Sequence, residues 1–386
     1  MTDHPDMLHA LNDNIPLSEK LTAIHHALST TCPAVARIAV AVYDPKTDLI
    51  KTFIHSSGGE NPLSNYQARL SDTPRLAAIY ASGRAQVVND VPNTYRNSTQ
   101  HGRKLRRQGY GSSYTLPTYT QGSFFGFVFF NAYDTQAFTP DHLATLNLYG
   151  HLVARTVIAE LTLIHTMLAA VKTAREMTKF RDEETGAHLD RMARYARLIA
   201  KTIAPRHGFD DEYIERLFLF APLHDLGKIG TPDHILLKKG ALDESEFEVM
   251  KQHASKGRAM VDRMLAEFNL SGLPYVDVLR NITEHHHEKL DGSGYPGRLK
   301  DEAIPIEARI VAVADIFDAL TSRRPYKPAW PVDQAFATLR TLAGDKLDRE
   351  CVDALIDNRD EVARIYKRFA GEASRPGAAP AGHPQP

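Results

Sequence analysis

Apolar positions fall into three patterns along the chain. In the first, they alternate or cluster in short runs. Residues 17–28 repeat at helical spacing and predict an amphipathic helix. Residues 37–43, RIAVAVY, are β-branched and apolar and end at Asp44-Pro45, a turn. With residues 49–55 they predict a hairpin. A helix is expected over 73–82, with Asp72 or Thr73 near its start and Gly83 just past its end. Val87-Val88 reads as a short strand, and the polar, basic stretch 89–109 as loop with a short helix. Strands over 110–119 and 123–133 flank Thr120-Gln121-Gly122, a second hairpin. This order describes an antiparallel sheet with helices on one face, an α+β domain over 17–159 behind a tail of residues 1–16.

In the second pattern, Thr139-Pro140-Asp141 opens a long helix. From there Leu143, Leu146, Gly150, Val153, Val157, Leu161, Ile164, Leu168 and Val171 recur at spacings of three and four, with one slip between Val157 and Leu161. No proline interrupts the stripe, so residues 140–175 read as one continuous connecting helix. Its first turns belong on its own domain's sheet. Its later turns have the pattern of a parallel two-helix coil between two copies, and hence a homodimer. The third pattern, over 172–370, is helical nearly throughout. Residues 371–386, rich in Gly, Ala and Pro, read as disordered.

Composition adds limits. The 386 residues suffice for two or three domains at ~150 residues each. A net charge of -1 argues against a nucleic-acid polymer as ligand, so any phosphate site must come from local basic residues. Cys32 and Cys351 form neither a metal-binding pair nor a disulfide framework, which suits a reducing cytoplasm. The first residues lack the basic start and apolar core of a signal peptide. No apolar run approaches the ~18 residues of a membrane span. Of 18 histidines, eight lie between His188 and His287.

Those histidines carry the candidate chemistry. In FAPLHDLGKIG, residues 220–230, His224 and Asp225 offer a neutral nitrogen and an anionic oxygen side by side. The carboxylate has two oxygens and can bridge two metal ions. The plainer account is a helix end with Gly as terminator and Lys on the dipole. Glu184 and His188 are four apart in RDEETGAH and share a helix face, which by itself fits a surface contact. His253 lies in a helical stretch over 245–267, where a lone histidine is commonly exposed. TEHHHEKLDGSGYPG, residues 283–297, holds three consecutive histidines, of which two can face one site, and a glycine-rich loop able to approach a ligand closely. Asp315 sits in RIVAVADIFDALTS, a helix apolar nearly all round, where an unpaired carboxylate requires a cation or dense hydrogen bonding. Asp318, three residues on, is placed to support the ligands. Imidazoles and carboxylates without thiols suit iron, manganese, zinc or nickel. The donors are too many for one ion, so two or three ions sharing Asp225 are expected.

Two resemblances follow from these residues. The first region resembles a GAF domain, a small-molecule sensor module of bacterial signalling; the resemblance rests on element order, with 89–109 at the ligand-pocket lid. It leaves open whether the module senses a ligand or only mediates dimerisation. HDLGKIG with HHEKLDGSGYPG resembles the HD-GYP family, HD-type phosphohydrolases that degrade cyclic di-GMP, over 172–370. That resemblance implies a helical bundle. It assigns His188, His224, Asp225 and Asp315 to one metal, and His253, His286 and His287 to a second bridged by Asp225. It places Glu184 where a third ion enters, Lys228 beside the metals, and Gly294, Tyr295, Pro296, Arg324 and Lys327 at the substrate. His285 is not among the matched ligands. The implied activity is a metal-dependent phosphodiesterase, regulated by the sensor, that opens cyclic di-GMP to pGpG and then GMP. The implied partners include a signalling protein at the GYP loop. The alternatives are a phosphodiesterase for a mixed cyclic dinucleotide, a nucleotidase on the same scaffold, and a weakly catalytic cyclic di-GMP receptor acting through protein partners.

Overall fold

The computed structural model describes residues 6–57, 66–95, 108–177, 186–268, 270–272, 274–322 and 329–370. The chain divides into two compact units, Met1–Leu168 with Asp210–Glu212, and Ala169–Phe209 with Tyr213–Pro386.

In the first unit, α1 (Leu17–Ser29) buries Leu17, Leu21, Ile24 and Leu28. There follow β1 (Arg37–Asp44), β2 (Leu49–Ser57), β3 (Gln67–Arg69), α2 (Pro74–Ser82), β4 (Gln86–Val88), α3 (Val91–Thr94), β5 (Ser112–Thr120) and β6 (Ser123–Ala132). The strands form one antiparallel sheet in the order β3-β2-β1-β6-β5-β4. Gln121 and Gly122 at the β5–β6 turn have φ of 48° and 78°, the left-handed pair that a tight hairpin turn needs. β2 carries an extra residue, Phe53, where its pairing with β1 shifts between Val40 and Ala41, and on the other side of β1 a Cβ on Gly126 of β6 would lie 2.0 Å from the Ala41 carbonyl oxygen. Only glycine fits that crossing. The three-residue edge strand β3 is too short to carry an alternation signal and is not among the expected elements.

A single helix, α4 (Pro140–Met177), spans 38 residues, as the unbroken stripe predicts. What covers the stripe differs from the expectation. A Cβ on Gly150 would meet Leu116 Cδ2 at 2.6 Å and Phe130 at 3.3 Å, so the glycine lets α4 sit directly on β5 and β6. Leu146, Val153, Val157, Leu161 and Ile164 are all buried within the single chain. The apolar stripe is therefore covered as far as Ile164, and no open seam is left there for a second copy. The segment Pro140–Ala170 also has a mean hydropathy of 1.5 over its best window, long and apolar enough to cross a membrane by composition. This corrects the expectation that no stretch approaches a span; 39% of that window is buried within the chain.

The second unit contains α5 (Gly186–His207), α6 (Asp211–Phe220), α7 (Asp233–Leu236), α8 (Glu244–Lys251), α9 (His253–Glu267), α10 (Val276–His285), α11 (Ile306–Thr321), α12 (Val332–Leu342), α13 (Arg349–Asp357) and α14 (Arg359–Ala370). Two short 3-10 turns, Ala221–Leu223 and Leu226–Gly230, lie between α6 and α7. The nearly all-apolar α11 is the central rod, with α5, α10, α12 and α13 packed around it. The helical stretch expected over 245–267 is broken at Gln252 into α8 and α9.

Candidate metal centre

Side chains from five separate places converge beside α11. His188 stands on the first turn of α5, His224 and Asp225 between the two 3-10 turns, and His253 at the first position of α9. His286 closes α10, His287 follows it, and Asp315 lies mid-way along α11. Their ligand atoms form two groups, Asp225 with His253, His286 and His287, and His188 with His224 and Asp315. Within each group the atoms lie within 4.8 Å of one another. Asp225 reaches toward both. Its Oδ1 is 3.2 Å from His253 Nε2 and 3.6 Å from His286 Nε2, while its Oδ2 is 3.1 Å from His224 Nε2. Asp315 Oδ1 is 3.8 Å from His188 Nε2 and 3.9 Å from His224 Nε2.

The ring orientations follow from the backbone. His224 Nδ1 donates to the Ala221 carbonyl at 2.9 Å, His253 Nδ1 to Met250 at 2.8 Å, and His286 Nδ1 to Ile282 at 2.9 Å. A carbonyl only accepts, so each neutral ring carries its proton on Nδ1 and turns the Nε2 lone pair inward. Among the described residues, Asp225 Oδ1, His253 Nε2 and His286 Nε2 are buried with no hydrogen-bond partner. Such groups are costly to bury unless a cation serves them, about 1–3 kcal/mol each. Burial pushes the His286 imidazole pKa down, and burial with neighbouring His286 pushes His287 well down, which keeps both rings neutral and able to coordinate. Burial pushes the Asp225 carboxyl up, but Lys228, His224 and His253 together hold it well below the usual carboxylate range. Lys228 Nζ lies 2.6 Å from Asp225 Oδ2. This donor set, neutral imidazoles and carboxylates with inward lone pairs, fits a pair of transition-metal ions.

Residues 183–351 match the family model described as HD domain, and residues 17–157 the one described as GAF domain. The chain carries a GAF domain followed by an HD domain. Through the HD region it is 44% identical over 199 residues to the cyclic di-GMP phosphodiesterase response regulator RpfG of Xanthomonas campestris, covering 52% of this chain and 50% of that protein. It is 41% identical over 196 residues to a cyclic di-GMP phosphodiesterase of Thermotoga maritima, covering 51% and 50%. It is 37% identical over 185 residues to 3'3'-cGAMP-specific phosphodiesterase 2 of Vibrio cholerae, covering 48% and 33%. The chain spans about half the length, or less, of these curated relatives.

Close backbone contact holds the HD domain's site together. A Cβ on Gly227 would lie 1.9 Å from the His253 carbonyl oxygen and 2.5 Å from Gly257 N. The turn carrying His224 and Asp225 thus rests directly on the start of α9. The contact lies just past the break at Gln252, at the first residue of α9. Gly227 is therefore a contact residue as well as a helix terminator.

Behind His188 lies a charged network absent from the sequence expectations except for Asp318. His188 Nδ1 is 2.6 Å from Asp318 Oδ2. Arg191 donates to both Asp318 oxygens at 2.7 and 2.8 Å and to Ser322 Oγ at 2.6 Å. Burial raises the Asp318 carboxyl, but His188 and Arg191 bring it below its ordinary value. Arg191 is three residues after His188 on one helix face, and that spacing is the signal that could have found it. Glu288 was also missed. Its buried carboxylate accepts from Gly297 N at 2.6 Å and Leu299 N at 3.0 Å, tying the Gly294-Tyr295-Pro296 loop to the residue after His287. A Cβ on Gly294 would lie 2.5 Å from Glu288 Cα, so the loop returns close against that segment. The Tyr295 ring stacks obliquely on His287, with centroids 4.7 Å apart. His285 joins neither ligand group and has its Nε2 3.7 Å from Glu284 Oε2. Glu184, Arg324 and Lys327 lie outside the described residues.

Proposed function

We propose that the chain is a metal-dependent phosphodiesterase that hydrolyses cyclic di-GMP to pGpG and onward to GMP under regulation by its GAF domain. The observation that carries this reading is the pair of ligand groups meeting at Asp225, with Lys228 and the Tyr295 loop at their edge. The relatives named above support the substrate class. His188, His224 and Asp315 would hold one ion, and His253, His286 and His287 a second, with Asp225 between them. A third ion would call on Glu184. Thiol-free ligands favour iron or manganese. Ions so held supply Lewis-acid activation of water and offset charge on a phosphoryl group.

The protein's own residues do the rest. Nδ1-to-carbonyl bonds fix the imidazoles in one tautomer, so no proton must leave before a ligand binds. The Lys228 ammonium keeps Asp225 ionised and stands where negative charge grows on the phosphoryl oxygens. Arg324 and Lys327 would hold the second phosphate. The reaction adds water across a phosphorus–oxygen bond: a new bond forms from water oxygen to phosphorus, the bond to the ribose 3′ oxygen breaks, and that oxygen takes up a proton. Signal output through a protein at the Tyr295 loop and a cytoplasmic location belong to the same reading. Pairing of two copies along α4 does too, but with the stripe turned inward it rests on the opposite face, where Leu148 and Leu163 are exposed.

The test incubates full-length, iron- or manganese-loaded protein with cyclic di-GMP and follows pGpG and GMP by chromatography. 3′3′-cGAMP runs in parallel because relatives specific for it match the same region. Turnover of the first substrate is the expected result. No product from either substrate, in protein shown to hold at least two ions per chain, would sink the enzymatic reading. Tight binding of cyclic di-GMP without turnover would favour a receptor.

A further inference from the structure

Helix α8 leaves a large ring in water next to the metal centre. Phe247 is 45% exposed. Its ring stands edge-on to Tyr295, with centroids 6.4 Å apart and planes at 82°. Lys251, one turn further along α8, places its ammonium 4.8 Å from the Phe247 centroid and 5.9 Å from that of Tyr295. Tyr295 in turn lies 4.7 Å from His287 and 6.2 Å from His253, ring to ring. A continuous run of rings therefore leads from one ligand group to an open aromatic corner with a cation in it. The helix break at Gln252 separates α8, which carries this corner, from α9, which carries His253.

We propose that Phe247 and Tyr295, with Lys251 between them, form a stacking slot for one purine base of the nucleotide whose phosphate lies at the metal centre. An exposed ring offers a purine a face to stack on. Tyr295 walls the slot and links it to the metal ligands, which is what a base tethered by one ribose to the reacting phosphate requires. Lys251 is 2.6 Å from Glu248 Oε1 through one of its three protons, so others remain for a base edge. An ammonium suits the O6 and N7 acceptors of guanine better than the amino group that adenine presents beside N7. The slot therefore selects purine over no base through Phe247, and guanine over adenine through Lys251. This inference rests on the reading that a nucleotide phosphate occupies the metal centre.

The test uses full-length, metal-loaded protein and calorimetric titration with GMP, AMP and ribose 5-phosphate. Wild type should bind GMP at least about tenfold more tightly than ribose 5-phosphate, in line with one base stack. Phe247→Ala should lose most of that ratio while ribose 5-phosphate affinity stays within about twofold; Phe247→Trp should keep the ratio. Lys251→Met should lower the GMP-to-AMP preference. An unchanged ratio in Phe247→Ala overturns the slot, as does no base preference in wild type or an equal loss for both ligands. Cleavage of cyclic di-GMP is scored separately. Base selectivity lost in Phe247→Ala, in a protein that cleaves nothing, would refute the phosphodiesterase reading and leave the slot standing. Cleavage with a KM indifferent to Phe247→Ala would do the reverse.

Discussion

Asp225 and Lys228 are adjacent in space but do different work, and substitution should separate them. Removing the Asp225 carboxylate takes one ligand atom from the His253 group and, on the proposed bridging role, the oxygen that faces His224. Asp225→Ala should therefore bind fewer ions per chain by metal analysis and lose turnover by at least about a hundredfold. A variant with wild-type metal content and activity would refute the bridging role. On the proposed reading, Lys228→Ala should keep its metal and lose roughly ten- to a hundredfold in kcat, since it would remove a charge beside the reacting phosphate and no ligand. If metal falls in proportion, Lys228 serves only to hold Asp225. Asp318 acts one step further back, through His188. Asp318→Asn should weaken metal binding about 10- to 100-fold, the usual cost of losing a partner that orients a ligand histidine. Competition with a chelating dye measures it, and an unchanged affinity would show that the Nδ1 contact orients nothing.

At the scale of elements, most of the architecture was legible and the exceptions have physical causes. Strands β1, β2, β5 and β6 announced themselves as runs of apolar and β-branched residues closed by turns, the mark of strands buried nearly along their length. The α8–α9 break did not, because residues on both sides of Gln252 keep helical spacing. It coincides with a tertiary contact, Gly227 against the His253 carbonyl, that spacing along the chain does not register. The donors His188, His224, Asp225, His253, His286, His287 and Asp315 could be named from residue types and family resemblance, and the structure gathers them in two groups. Glu288 and Phe247 could not, since a glutamate and a phenylalanine on loops or helices have many ordinary uses; Arg191 left only its three-residue spacing from His188 as a signal. The Gly227 contact yields its own prediction. Gly227→Ala must move the turn or α9, and should destabilise the second unit by about 1–3 kcal/mol in urea unfolding. It should also lower metal content, because His224, Asp225 and His253 all shift. Wild-type stability in this variant would mean the contact is looser than its geometry.

For the whole molecule, the connecting stripe teaches what a periodic sequence omits. Spacing states that one face of α4 is apolar; it does not state what covers that face. Here β5 and β6 take its early turns, and its positions remain buried to Ile164. Leu161→Glu should thus unfold the region rather than split a dimer, at a cost of about 3 kcal/mol or more for burying an unpaired charge. Leu148→Glu with Leu163→Glu alters only the exposed face. If two copies pair along it, light scattering should show a dimer in wild type and a monomer in this double variant, with thermal unfolding little changed. A wild-type monomer at tens of micromolar would remove the pairing.

The meeting of Gly227 and Gly257 also bears on how such a chain can change by inheritance. A side chain at 227 collides with backbone at 253 and 257, and one at 257 collides with Thr283. The collision at 227 is with backbone and has no side chain to trim, whereas the one at 257 is with the Thr283 methyl. A change at 227 therefore carries a stability cost together with a shift of His224, Asp225 and His253, so it cannot alter the metal site alone. Phe247, exposed on α8, is free of that constraint, so if it holds a base as proposed, its identity can change while the crossing beneath the histidines stays fixed.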